Sequence, residues 1–401
     1  MSVTTSAFDP EQFIAERARA IDASGIRRVF DLAASLEDPV NLSIGQPDFD
    51  VPEPVKHAAI EAIEAGRNRY TPTQGSQTLR EKISAHLARE FAGTFGKPGG
   101  EALSEDTQLL VTSGVSGALV LTLLACAGPG DEVLIPDPYF VMYKHLVSLT
   151  GATPVFVDTY PDFQLTAERI EAKLTDRSKL LLANSPSNPT GAVASWDTCA
   201  SLVTLAERHG LLLVSDEIYD EFCYQKSPAY EGGEPRCPSP AARSANVLLL
   251  RGFSKTYAMT GWRLGYAVGP KPILDQMTKL QQYSFVCAPS MVQQAGVAAM
   301  DTDVSQHVAH YQRKRDRVVE ALSPYYELAT PGGAFYAFPK VPDSLKMTGQ
   351  QFVEQAIERG LLIIPGNVFS ERDTHFRLSY ACDDAMLDRG LEMLVDMAKA
   401  T

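Results

Sequence analysis

From Gln108 onward the chain alternates between short apolar runs and stretches with helical period. The runs at 109–111, 132–135, 153–157, 179–183, 211–214 and 247–250 are short, apolar and bounded by turn residues, so each reads as a buried strand. Helical patterns lie between and before them, among them 10–22, 54–65, 79–91 and 118–126. Such alternation predicts an α/β fold, a largely parallel sheet with helices on its faces. Residues 332–336 and 361–365 read as further strand material, and 383–400 as a closing amphipathic helix.

Open α/β sheets bind ligands outside the C-terminal ends of their strands, so the residues following each run carry the candidate chemistry. The first run leads into Ser113-Gly114-Val115-Ser116-Gly117 and then a helix. Free N–H groups at a helix start, with the Ser116 hydroxyl, suit a phosphate, although a plain helix cap fits the same residues. The run at 132–135 delivers Phe140, a ring on which a flat cofactor can stack. The run at 179–183 enters a rigid loop, Asn184 to Gly191, that contains Asn188. Asp216 ends the next run, where a carboxylate is costly to bury without a cation such as a protonated ring nitrogen, and Tyr219 follows three residues later. A helix cap and a packed core tyrosine are the plainer readings of that pair.

After 247–250, Gly252 frees the backbone to turn, placing Ser254 and Lys255 at the strand mouth among Phe253, Tyr257, Met259 and Trp262. Desolvation there lowers the pKa of a lysine and lets it attack a carbonyl as a Schiff-base nucleophile; a snorkelling surface lysine fits the stretch as well. Gly45, before a polar turn and Pro47, lets backbone N–H groups approach an anion or simply turns the chain. Taken together, an amine, a phosphate cradle, a stacking ring, an acid and a phenol are the groups that pyridoxal 5'-phosphate requires.

Composition narrows the field. A chain of 401 residues is long enough for two or three domains, and a net charge of -13 argues against nucleic-acid or anionic-membrane partners. The run from Arg313 to Arg317 reads as a solvated helix face. Cysteines 126, 199, 223, 237, 287 and 382 form no Cys-x-x-Cys pair, which suits reduced thiols. Residues 1–12 lack the features of a signal peptide and no apolar run reaches membrane-spanning length, so a soluble, cytoplasmic protein is expected.

With Ser-Asn-Pro-Thr-Gly at 187–191, Ser-Asp-Glu-Ile-Tyr at 215–219, Phe-Ser-Lys-Thr at 253–256, Gly-Trp-Arg at 261–263 and Phe-Arg-Leu-Ser at 376–379, nearly the whole chain resembles the class I aminotransferases. These are the aspartate-aminotransferase-like branch of the fold-type I pyridoxal-phosphate enzymes. The resemblance implies a large three-layer α/β/α cofactor domain over 46–299 and a smaller α+β domain made of 1–45 and 300–401. Lys255 would form the Schiff base and shuttle the proton, Asp216 would keep the pyridine nitrogen protonated, and Tyr219 and Asn188 would bind the phenolic oxygen. Val115, Ser116 and Arg263 match the phosphate site, and Phe140 the stacking position, where aspartate-specific members usually carry tryptophan. Arg377 would grip the substrate α-carboxylate, helped by Gly45 and Asn188. Tyr70 matches a tyrosine that reaches the phosphate of the neighbouring subunit, which implies a homodimer with shared active sites. Gly252 departs from the family, which often has a phosphate-binding serine there.

Members specific for dicarboxylates supply a second cation for the side-chain carboxylate. Residues 280–312 contain no Lys or Arg, and Tyr283, Phe285 and Val286 occupy part of that region. The expected donor is therefore an L-amino acid with a neutral or hydrophobic side chain, with pyruvate or 2-oxoglutarate as acceptor. Arg27 and Arg28 keep open an aspartate/2-oxoglutarate aminotransferase, since the N-terminal segment approaches the substrate in this fold. The same scaffold also runs C–S β-lyase chemistry and the ring closure of aminocyclopropane-carboxylate synthases.

Overall fold

The computed structural model describes residues 8–21, 25, 36–100, 102–229 and 232–399. Its centre is a seven-stranded sheet formed by β1 (Thr107–Thr112), β2 (Glu132–Asp137), β3 (Thr153–Asp158), β4 (Ser178–Asn184), β5 (Leu212–Asp216), β6 (Leu248–Gly252) and β7 (Gly265–Pro270). The spatial order is β1-β7-β6-β5-β4-β2-β3. All pairings are parallel except those of β7, which runs antiparallel to both β1 and β6. The α/β expectation is borne out.

Both faces of this sheet are covered, which is why its strands are apolar throughout rather than alternating with polar residues. Leu248, Leu250 and Leu110 pack to one side with the helix Gly114–Cys126, whereas Leu249, Leu109 and Val111 pack to the other with the helix Gln77–Glu90. Helix ends follow local chemistry. Ser195 caps Trp196–His209 by accepting from the Thr198 amide, and that helix stops at Gly210 in the left-handed region at φ 65°. Thr348 and Gln351 close a capping box on Gly349–Glu358.

A second core gathers around a three-stranded antiparallel sheet in which Phe376–Ser379 lies between Tyr336–Ala337 and Ile364–Pro365. Beside it, Val40–Asn41 pairs in parallel with Leu361–Leu362. The closing helix Asp384–Lys399 buries Leu387, Leu391 and Leu394 in this core, as its period predicts. Tyr219 and Phe222, from the loop after β5, pack into it too, so the two cores meet beside the end of β5.

Four expectations need correction. The predicted helix 10–22 is broken into a 3-10 turn, Pro10–Phe13, and one α-turn, Glu16–Arg19, neither with a buried residue; without a face to bury, a stretch this short gains too little to stay helical. Gly252 belongs to β6 rather than to a turn, paired with Gly265. Of 332–336, only Tyr336 enters a strand. The basic run is only in part a solvated face, because Arg313 and Asp316 are exposed but Lys314 and Arg315 are buried. Lys314 pairs with Asp48 at 2.5 Å and also donates to the Cys382 carbonyl, and Arg315 donates to the Pro331 carbonyl at 2.5 Å. All six cysteines are free. Among the described residues no helix is long and apolar enough to cross a membrane.

Candidate active site

Parallel pairing brings the ends of β4, β5 and β6 to one edge, with Asn184 opposite Asp216 and Asp216 opposite Leu250. Antiparallel β7 begins at that edge, with Gly265 between Thr112 and Gly252, so Arg263 just before it lies beside the exit of β1. The contact there is close. A side chain on Gly114, at φ +67°, would come within 2.7 Å of the Arg263 Nη2, which fixes glycine at this position. The helix Gly114–Cys126 then starts without a capping side chain, and Val115 and Ser116 from its first turn face a cavity of about 260 Å³. Arg263 lines the same cavity and donates to the Thr260 carbonyl at 2.9 Å. An uncapped helix start beside a guanidinium is a place for an anion.

Lys255 reaches the cavity and donates to the Gly45 carbonyl at 2.6 Å. Its nearest aromatic faces are Tyr219 and Phe335, at 5.9 and 6.0 Å. Phe253 and Met259, with Tyr257 and Trp262, pack instead with Leu249 on the far side of the sheet. The desolvation of Lys255 therefore comes from other walls than the sequence implied. Burial, with Arg377 and Arg263 nearby, lowers its pKa to about 8, leaving an appreciable neutral amine near physiological pH.

Asp216 is buried, and burial raises its pKa to about 6 against a 2.7 Å hydrogen bond from the Tyr143 hydroxyl. That phenol and the Ile218 amide, which donates to the other oxygen at 3.3 Å, are neutral donors and do not balance a buried carboxylate, so the site suits a ligand cation at this point. Arg377 is 2% exposed and lies between the Tyr336 and Phe369 rings, at 4.5 and 4.6 Å. It donates to Asn188 Oδ1 at 3.1 Å and to the Ser43 carbonyl at 2.9 Å, while its buried Nε has no partner among the described residues. Both acceptors are neutral. Burial lowers the pKa of this guanidinium, which nevertheless stays charged and suits a carboxylate.

Ten of the residues singled out from the sequence thus share one cavity: Gly45, Val115, Ser116, Phe140, Asn188, Asp216, Tyr219, Lys255, Arg263 and Arg377. Tyr70 does not; it is 84% exposed, on the loop between the helices Glu53–Glu64 and Gln77–Glu90. Arg27 and Arg28 lie outside the described residues.

The family model for aminotransferases of class I and II matches residues 37–394. The chain belongs to that family. An aspartate aminotransferase of Pyrococcus abyssi is 32% identical over 95% of this chain and 97% of its own, and an aromatic-amino-acid aminotransferase of Thermococcus litoralis is 32% identical over 96% and 98%. Among solved structures, an aspartate aminotransferase from Thermus thermophilus with maleate is 34% identical over 96% of this chain and 99% of that one, with a TM-score of 0.83. An aspartate aminotransferase of Thermotoga maritima is 30% identical over 96% and 100%, with a TM-score of 0.87. The fold-type I assignment and amino-group transfer between an amino acid and a 2-oxo acid are thereby borne out.

In this aminotransferase, sequence reasoning passed over several wall residues. Tyr143 and Tyr336 both line the cavity, as do Asn184 and Thr260; Ser254, placed at the strand mouth from the sequence but given no role, lines it too. Asn184 and Ser254 stood in the quoted loops and were legible as strand-end polar residues. Tyr143 enters from the helix Met142–Leu149 and Tyr336 from the small sheet, and no local pattern marks either as facing a ligand.

Proposed function

We propose that the cavity holds pyridoxal 5'-phosphate and that the enzyme moves the amino group of a neutral or hydrophobic L-amino acid to pyruvate or 2-oxoglutarate. The observation that carries this reading is the convergence of a depressed lysine, an undercompensated aspartate and two arginines without carboxylate partners among the described residues on one cavity. The residues suit the cofactor group by group: Arg263 and the first turn at Val115 and Ser116 for the phosphate, Asp216 for the ring nitrogen, Phe140 for the ring face, Tyr219 and Asn188 for the ring oxygen, Lys255 for the carbonyl.

When bound, the cofactor supplies an electron sink for charge released at the substrate α-carbon. Lys255 Nζ would hold the cofactor's carbonyl carbon and, once a substrate amine has taken its place, would act as the base that accepts and returns the α-carbon proton. Asp216 would hold a proton on the ring nitrogen, and that cation would compensate the buried carboxylate. Arg377, held between two rings, would fix the substrate carboxylate in a two-bond fork and so set which α-substituent faces Lys255.

The donor preference rests on the cavity walls. Among the described residues the only cationic side chains lining it are Lys255, Arg263 and Arg377, each already given a role. A dicarboxylate donor would have to find its second cation elsewhere. The aspartate reading is the second one, favoured by the relatives that carry that activity in their names. A panel of amino donors assayed with both acceptors tests the choice: alanine and aromatic or aliphatic donors should outpace aspartate, and a clear preference for aspartate overturns it.

The working form in this reading is a cytoplasmic homodimer, with the exposed Tyr70 reaching the phosphate of the neighbouring subunit. Its large domain spans 46–299, and its small domain joins 1–45 to 300–401. The separate core around the sheet at 336–379 supports that division.

A further inference from the structure

The geometry points to Tyr336 as a positioning residue that sets the hydrogen-bond direction of Tyr219 and, through it, the proton affinity of the lysine–cofactor linkage. This rests on the cofactor reading above. The Tyr336 and Tyr219 hydroxyls lie 3.0 Å apart, both rings are buried, and the rings meet nearly at right angles, 88°. Two phenols at that distance share one hydrogen between their oxygens, leaving one hydroxyl hydrogen to point elsewhere. Between the two phenols alone either direction satisfies the pair.

A cofactor oxygen beside Tyr219 removes that freedom. When Tyr219 donates to the cofactor, its own oxygen accepts from Tyr336, so the two hydroxyls form a chain running in one direction. A phenol that accepts a hydrogen bond is a stronger donor, by roughly 10–30% per added bond. Stronger donation to the ring oxygen weakens that oxygen's hold on the proton of the adjacent Lys255 nitrogen. Tyr336 thus lowers the pH at which the linkage loses its proton, without touching the linkage itself.

The surroundings hold Tyr336 to this task. Its hydroxyl stands 3.0 Å from where a side chain on Gly45 would begin, so glycine there leaves the hydroxyl its place. The same residue's carbonyl accepts from Lys255. Its ring lies 4.5 Å from the Arg377 guanidinium and 4.9 Å from the Phe335 ring. Titratable and charged groups facing the pair are therefore Lys255 and Arg377, with Asp216 beyond Tyr219. Tyr336 lies on a strand paired with that of Arg377, opposite Ser379, so one piece of small sheet positions both the carboxylate grip and this donor.

The test is a pH titration of the visible absorption band of the protein loaded with pyridoxal 5'-phosphate. Tyr219→Phe should raise the midpoint most. Tyr336→Phe, which keeps the ring beneath Arg377, should raise it by a few tenths of a pH unit, as expected when one hydrogen bond is weakened by the cooperative fraction above. The double variant should titrate like Tyr219→Phe alone, because the second hydroxyl acts only through the first. Tyr336→Ala, which also removes the ring, should raise KM several-fold beyond Tyr336→Phe. An unmoved midpoint in Tyr336→Phe, or shifts that add in the double variant, overturns the assignment while leaving the cofactor reading intact. A loaded wild-type protein with no titrating band overturns the cofactor reading and this assignment with it.

Discussion

Two buried arginines lie near the same strand ends and are treated in opposite ways. Arg251, on β6 behind the cavity, forks onto both oxygens of Glu90 at 2.7 and 3.0 Å, meets Glu217 at 2.8 Å and Asp220 at 3.2 Å. Against the desolvation of a buried cation, those carboxylates raise its pKa, and burial raises Asp220 in turn to about 7. Arg377, in front, has two neutral acceptors and an unpartnered Nε, and burial lowers its pKa. A fold that builds a full set of anions around one guanidinium and, among the described residues, none around the other has left the second for a ligand. The first is framework: Glu217 and Asp220 adjoin Asp216 and Tyr219 in the chain, so Arg251 braces the loop that presents them.

Substitutions should separate front from back. Lys255→Ala, in the front, should cut turnover by more than about 10⁴-fold while leaving the melting temperature of the cofactor-free protein unchanged or higher, since a desolvated buried amine is gone. Next in size, Arg377→Leu should lower kcat/KM by about 10²–10³-fold, as removal of one member of a buried carboxylate pair does. Its unfolding free energy, read by urea titration, should hold or rise. Arg251→Met should do the reverse in stability, costing about 3–5 kcal/mol because the buried Glu217 and the partly buried Glu90 and Asp220 lose their cation. Equal destabilisation by both arginine substitutions would break the comparison.

Smaller effects concern protons. Lys255 falls from 10.5 to about 8, so between those values the unfolded chain binds the extra proton and the stability of the cofactor-free protein gains from this group as pH rises. Asp216 rises from 3.8 to about 6, so across that window the native state binds the extra proton and stability falls with rising pH. Uptake of pyridoxal 5'-phosphate, followed by stopped-flow absorbance, should accelerate with pH and level off above about 8. Smallest of all, Tyr143→Phe removes the one side-chain donor to Asp216 and should weaken cofactor binding by about tenfold, measured by equilibrium titration.

Much of the front was legible in the sequence because it stands at strand ends. Short apolar runs locate the strands, and a polar residue at the end of a buried run has few places to point, which is why Asp216, Asn188 and Lys255 could be picked out. The back was not legible. Arg251 sits inside a strand among leucines, and its partner Glu90 is a helical residue 161 positions away. Lys314 and Arg315 looked like surface charges because burial of a cation depends on a distant partner, here Asp48 and the Pro331 carbonyl. The error over Phe253 has another origin: it follows the parity of Leu249 and Arg251 onto the far face, and a one-residue ambiguity at the end of β6 was enough to hide that.

The central claim is that Lys255 carries pyridoxal 5'-phosphate and passes an amino group through it. The most direct measurement is the visible absorption spectrum of the protein loaded with the cofactor, taken before and after single L-amino acids. The account predicts a bound band that neutral or hydrophobic amino acids bleach and a 2-oxo acid restores, and that Lys255→Ala lacks in the wild-type form. A wild-type protein that shows no such band, or a band that no amino acid converts, would contradict it.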